Sequence, residues 1–269
     1  NENTSIETYH PDVKVFEVFK KNTFHALLYT DFFPRPGKRN GAWMTSYRSQ
    51  NKDHRPHVSI VCNFTKPTSK KPSLLTFQEV TTLFHEFGHA LHFFSSNVRY
   101  PSLNGGVRDY TEFQSQLLER WLSTDEVIKQ FLVHNKTGEP IPDQLVNKIK
   151  KASKFNQGFS TTEYLASALI DMKIHLADPE NIDVAKFEIE TLNQMNMPKE
   201  LPMRHRTPHF GHVFSGEGYA TAYYGYMWAD VLTADATEAF VEAPDGFYDK
   251  ELSDKLVKYL FAPMCKAPI

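Results

Sequence analysis

The 269 residues carry 30 Lys+Arg against 32 Asp+Glu, a formal net charge of −2, with 41% hydrophobic and 23% charged residues. This is globular composition, which excludes a mostly disordered chain, and the even charge balance argues against a nucleic-acid binder, which needs a basic excess. No stretch approaches the ~20 apolar residues of a membrane-spanning helix, so no membrane insertion is expected. Two cysteines, Cys62 and Cys265, are too few for a disulfide framework and read as buried free thiols. The chain opens on Asn1-Glu2-Asn3-Thr4, with neither an initiator Met nor a signal peptide, and reads as the interior of something longer.

In chain order, the first third predicts strands. Residues 12–19 alternate and are rich in Val and Phe; residues 24–33 and 57–64 are short apolar runs bounded by turn residues. Pro34-Arg35-Pro36-Gly37-Lys38 is a loop, because each proline removes a backbone donor and the glycine permits a turn. Residues 40–44, with Gly41 and Ala42, follow that loop. They read as an edge strand able to hold a peptide by backbone hydrogen bonds, with burial of Trp43 in a core as the alternative. From Thr76 to about 95 the apolar spacing is helical, and Thr76 with Glu79 three residues on forms a capping box. After a Pro- and Gly-marked break at 101–106, a second helix is predicted over 109–122. A surface turn at 135–142 precedes helices over 143–155, 161–175 and 183–195. Residues 197–218 read as irregular, with Pro198, Pro202 and Pro208, before helices over 219–240 and 250–260. There is no repeat and no linker. The sequons at Asn3, Asn63 and Asn135 are of a kind that arises by chance, and Asn63 ends an apolar strand.

The chemistry concentrates in His85-Glu86-Phe87-Gly88-His89. On a helix, residues four apart share a face, so His85 and His89 can bind one metal ion. Zinc suits two imidazoles and a carboxylate, with one position left open for water, and Glu86 is placed to act on that water. The third ligand should come from the next helix, where Asp109, Glu112 and Glu119 are equal candidates on spacing alone. His92 lies two turns from His85, about 10 Å by helix rise, which is too far to join the same ion. It reads as a core or cleft-wall residue. A second region runs from His209 to Tyr226. Tyr219, Tyr223 and Tyr226 fall at i, i+4 and i+7, which predicts three phenols on one helix face, able to donate to an oxyanion. Gly216 and Gly218 suggest a hinge before Tyr219. His205, His209 and His212 do not read as a second metal site, because Pro208 interrupts any helical register.

Together, HEFGHALH, DYTEFQSQLLERW, FNQGFSTTEYLASALIDM and HVFSGEGYATAYYGYMWADVL resemble the M3 family of zinc metallopeptidases, supported by DFFPRPGKRNGAWM and RPHVSIVCNFTKP. The wording is most similar to the family's peptidyl-dipeptidase branch. By motif, the resemblance implies zinc ligands at His85, His89 and Glu112, one Zn2+ per chain, and a general base at Glu86. It also implies substrate contacts at His212, Tyr219 and Tyr226, with Tyr223 nearby. The family's third-ligand motif commonly carries a proline; Thr111-Glu112-Phe113-Gln114 here lacks it, and a different local backbone is expected. Family members are more than twice this long, so residues 1–269 read as a catalytic core without the family's N-terminal helical region and C-terminal tail.

The fold expected is α+β, predominantly α-helical. A zincin-like core should carry a small N-terminal sheet beneath the metal helix, with the cleft between them. The function implied is hydrolysis of short peptides with release of C-terminal dipeptides. The alternatives are endo-acting cleavage on the same machinery, or zinc binding without turnover. A monomer is expected, cytoplasmic in preference to periplasmic.

Overall fold

A computed structural model describes residues 1–264; Cys265 lies outside the described residues. The chain forms two compact units. One comprises Asn1–Ile128 with the chain from Ala229 onward, and the other is Lys129–Trp228.

In the first unit, four strands form one sheet: β1 (Lys14–Lys20), β2 (Thr23–Asp31), β3 (Trp43–Arg48) and β4 (His57–Val61), in the order β1-β2-β4-β3. Lys21 and Asn22, at φ 48° and 62°, supply the tight turn that joins β1 to β2. The outer pairs β1/β2 and β3/β4 are antiparallel, whereas β2 and β4 run parallel. Central β4 is buried through Val58, Ser59, Ile60 and Val61, as a strand covered on both faces must be. The strand at 43–48 is an edge, as the sequence suggested, although Gly41 and Ala42 lie in the loop leading into it.

Helix α1 (Phe77–Ser95) begins with the expected capping box: Thr76 accepts from the Glu79 backbone and Glu79 reaches back to Thr76. Its Ala90 and Phe94, flanked by Leu83, Phe87 and Leu91, pack on Ala26, Leu28, Val58 and Ile60 of the sheet. The helix therefore lies on the sheet as expected, but the interface is a filled core.

The histidine face of α1 meets α2 (Phe113–Glu119) instead. The predicted 109–122 helix is a 3₁₀ turn at Arg108–Tyr110, then α2, then a second 3₁₀ turn at Arg120–Ser123. Phe113 and Leu117 anchor it in a second core with Phe261, Leu232 and Ala236. Gly88 sets how close the two helices come. A Cβ there would sit 2.5 Å from the Gln114 carbonyl oxygen and 2.6 Å from Ser115 Cα. Helix α3 (Asp125–Phe131) was not foreseen; α9 (Lys250–Leu256) matches the last predicted helix and continues into a π turn.

The second unit contains α4 (Asp143–Ala152), α5 (Gln157–Leu176), α6 (Val184–Gln194) and the short α7 (Gly211–Phe214). Ala166 and Ile170 of α5 pack with Met203, Leu192, Met195 and Met197. Buried Glu188 of α6 ties down the proline-rich segment, accepting from the Thr207 N–H at 2.9 Å, the Thr207 hydroxyl at 2.8 Å and Arg206 Nε at 2.6 Å. The helix predicted over 219–240 starts later, as α8 (Gly225–Glu242).

Candidate metal centre and active site

His85 and His89 project from α1 at the point where Gly88 admits α2. Glu112 occupies the N-cap of α2, at φ −95° and ψ 0°, rather than a mid-helix position. Its Oε2 lies 3.1 Å from His85 Nε2 and 3.3 Å from His89 Nε2. The three ligand-capable atoms lie within 4.8 Å of one another, and among the described residues no second group of this kind occurs. Of the three acids weighed on spacing, Glu112 is the one brought into this group. Glu119 instead meets the far side of His85, with Oε1 2.6 Å from Nδ1, and Asp109 sits in the preceding 3₁₀ turn.

The donor set fits zinc. With metal–ligand distances of about 2.0–2.2 Å, two corners of a tetrahedron are separated by roughly 3.3 Å. That is the spacing at which Glu112 Oε2 faces both imidazole nitrogens. Ser115 supports this carboxylate by donating from its hydroxyl to the same Oε2 at 3.0 Å.

Electrostatics follow from crowding. Burial works against the Glu112 anion, but hydrogen bonds from His85 and His89 hold its carboxyl far below the usual range. Burial likewise disfavours the His85 cation. The hydrogen bonds to Glu112 and Glu119 outweigh it and lift His85 to about 10. Glu86 is only 6% exposed, and the Met44 backbone of β3 lies near enough to its carboxylate to favour the anion slightly. Burial raises its carboxyl above the ordinary value, against the pull of His89 and His85. His92 is a core residue: burial pushes it down to about 4, and its Nε2 has no hydrogen-bond partner. Cys62 is a buried free thiol pushed up to about 12 by desolvation. The Asn63 amide donates to the Arg39 and Gly41 carbonyls, which gives that side chain a structural task in the loop before β3.

In the other unit, His212, Tyr219, Tyr223 and Tyr226 form one aromatic group. His212 stacks on Tyr219 with centroids 4.3 Å apart, Tyr219 lies 5.7 Å from Tyr226, and Tyr223 lies 5.4 Å from Tyr226. His212 Nε2 and the Tyr226 hydroxyl share a 2.9 Å hydrogen bond. The tyrosines are thus grouped as predicted, but not on one helix face: only Tyr226 belongs to α8. Turns gather the others, and Asp171 holds those turns. This buried carboxylate accepts from the Thr221 N–H at 2.9 Å and the Tyr223 N–H at 3.1 Å. Thr221 is held at φ 59°, whereas Gly216 and Gly218 keep ordinary negative φ. The Tyr164 hydroxyl adds a hydrogen bond to the Tyr223 carbonyl.

Residues 1–253 match Peptidase family M3, a family of metallopeptidases, and the chain belongs to it. Over 250 residues, 90% of this chain and 36% of the relative, it is 42% identical to dipeptidyl carboxypeptidase of Escherichia coli (strain K12). It is 36% identical over 263 residues to oligopeptidase A of Salmonella typhimurium (strain LT2), covering 93% of this chain and 38% of that one. It is also 36% identical over 235 residues to the organellar oligopeptidase A of Arabidopsis thaliana, covering 81% and 29%. The chain thus spans between 29% and 38% of the length of these curated relatives.

Proposed function

We propose that this chain is the catalytic core of a zinc peptidase that shortens small peptides from the C-terminus by dipeptides. The observation that carries the reading is one carboxylate oxygen, Glu112 Oε2, set at tetrahedral-edge distance from two imidazole nitrogens. His85, His89 and Glu112 would hold one Zn2+. When bound there, zinc supplies Lewis acidity, polarising a carbonyl and lowering the pKa of a water toward roughly 7.

The remaining chemistry belongs to the chain. Glu86 acts as general base, taking a proton from the attacking water and delivering it to the leaving amine. A carboxyl raised by burial is suited to both directions of that transfer. The unpaired edge of β3, with Gly41 and Ala42 leading into it, holds the peptide as an added strand. His212, Tyr219 and Tyr223 bind substrate, and the Tyr226 hydroxyl, oriented by His212, donates to the oxyanion.

The dipeptide-releasing mode is favoured by the identity to a dipeptidyl carboxypeptidase, and endo-acting cleavage is the second reading, on the identity to oligopeptidase A. A cytoplasmic setting accords with the free thiol of Cys62, and we read the chain as a monomer. No helix among the described residues is long and apolar enough to cross a membrane. The test is mass spectrometry of products from one unlabelled nonapeptide with the zinc-loaded protein. Stepwise loss of C-terminal dipeptides supports the first reading and a single internal cut the second. Stoichiometric zinc with an intact peptide would leave a metal-binding fragment.

A further inference from the structure

His85 is met by a carboxylate at each of its ring nitrogens. Glu112 faces Nε2, and Glu119 lies 2.6 Å from Nδ1, a distance typical of a charge-assisted hydrogen bond. Both acids come from α2. Glu112 is its N-cap and Glu119 its last residue, seven positions on, so two helical turns return the second acid to the same face. The α1–α2 approach at Gly88 fixes both at once. His89 has no equivalent second carboxylate among the described residues, and Glu119 pairs there with no Lys or Arg. Among the described residues the His85 imidazole is thus the ionisable side chain that Glu119 faces.

We propose that Glu119 is a positioning residue for the metal centre, holding the His85 ring by its Nδ1–H so that Nε2 is presented as the ligand nitrogen. A carboxylate can only accept, so the proton of that hydrogen bond resides on Nδ1 and the lone pair of the neutral ring resides on Nε2. The same bond fixes the rotation of the ring. It also makes Nε2 a better donor, because negative charge behind an imidazole raises its basicity. Glu119 itself stays off the metal: it is a support for one ligand and touches neither substrate nor water in the reaction.

This inference rests on reading His85, His89 and Glu112 as a zinc site, and the experiment separates the two. Zinc affinity is measured by chelator competition for the wild-type chain and for Glu119→Gln, Glu119→Ala and Glu112→Ala. The His85 tautomer is read in the zinc-loaded protein by long-range ¹H–¹⁵N NMR. Glu119→Ala should weaken zinc by about 10–100-fold, the scale of losing such a support. Glu119→Gln, whose amide oxygen still accepts from Nδ1–H, should recover part of that loss. The melting temperature of the metal-free protein serves as the control for folding. Wild-type affinity in Glu119→Ala with affinity lost in Glu112→Ala, or a His85 carrying its proton on Nε2, would overturn the role of Glu119 alone. Undiminished zinc binding in Glu112→Ala would overturn the zinc site beneath it.

Discussion

Gly88 offers a sharp perturbation because a single methyl group there tests the spacing on which the candidate metal site depends. An ordinary van der Waals contact begins near 3.4 Å, so the added Cβ is about 0.9 Å too close to the Gln114 oxygen and about 0.8 Å too close to Ser115 Cα. Both obstacles are backbone and cannot swing aside, so α2 must move by most of that distance. Overpacking of this kind costs roughly 1–3 kcal/mol, offset by about 1 kcal/mol of helix propensity that Ala gains over Gly. Melting of Gly88→Ala should therefore fall by only a few degrees, at roughly 2–4 °C per kcal/mol for a chain of this size. The site should suffer more. Glu112 and Ser115 ride on the displaced segment, and a shift near 1 Å at an active site costs on the order of 10² in rate. The assay pairs zinc affinity by chelator competition with peptide turnover. Gly158→Ala is the control, since an added Cβ there meets nothing within 4 Å. It should bind zinc like wild type. Wild-type zinc affinity and melting in Gly88→Ala would refute the argument that this glycine sets the interhelical distance.

Other expectations follow from the same geometry. Glu112→Ala should weaken zinc binding far more than Asp109→Ala; comparable losses, read by chelator competition, would mean that the third ligand is misassigned. Glu86→Gln should retain zinc yet lose at least the ~10²–10⁴ in turnover that a general base supplies, so near-normal rates would sink the proton-transfer role. Tyr226→Phe should lower kcat by roughly 10²–10³ with KM little changed, as for loss of one oxyanion donor; a raised KM at normal kcat would mark a plain binding residue. His92 gives a pH prediction. Its folded value of about 4 lies below the unfolded 6.5, so the unfolded chain binds the extra proton and stability falls as pH drops from about 6.5 toward 4. Between pH 7 and pH 5 this amounts to about 2 kcal/mol. Urea unfolding of the metal-free protein should lose that increment in wild type but not in His92→Phe.

The parts of the structure legible in the sequence were those written in local pattern. The Thr76–Glu79 capping box, the Val- and Phe-rich strand β1 and the i, i+4 histidines each need only a few neighbouring residues, and each is present. The choice among Asp109, Glu112 and Glu119 was not local. It depends on how α2 is cut between two 3₁₀ turns and on the approach at Gly88, and neither leaves a spacing signal. The seven-residue interval between Glu112 and Glu119 was readable as a shared helix face, but nothing in the sequence indicated that both would address one ring. Tyr219, Tyr223 and Tyr226 show the opposite case. Their helical spacing matched a group that does form, yet turns held by Asp171 form it, through an acid 48 residues before Tyr219.

The parallel contact between β2 and β4 bears on the order in which this sheet assembles. Each outer pair joins strands close in sequence, one through a two-residue turn, and can close early; the central seam must wait for chain segments brought together from farther away. Where that seam runs out, Lys38 acts as a rivet. Its ammonium, 3% exposed, lies within hydrogen-bond distance of the Asp31, Phe33 and Cys62 carbonyls and of the Asp31 carboxylate, and shares its three donors among them; Arg35 also grips that carboxylate at 2.7 Å. One ammonium thereby joins the ends of two strands that meet late. In hydrogen exchange, Lys38→Met should leave the amides of the β1–β2 hairpin slow. The Cys62 and Phe64 amides, which bridge the seam to Asp31 and Phe32, would then open first.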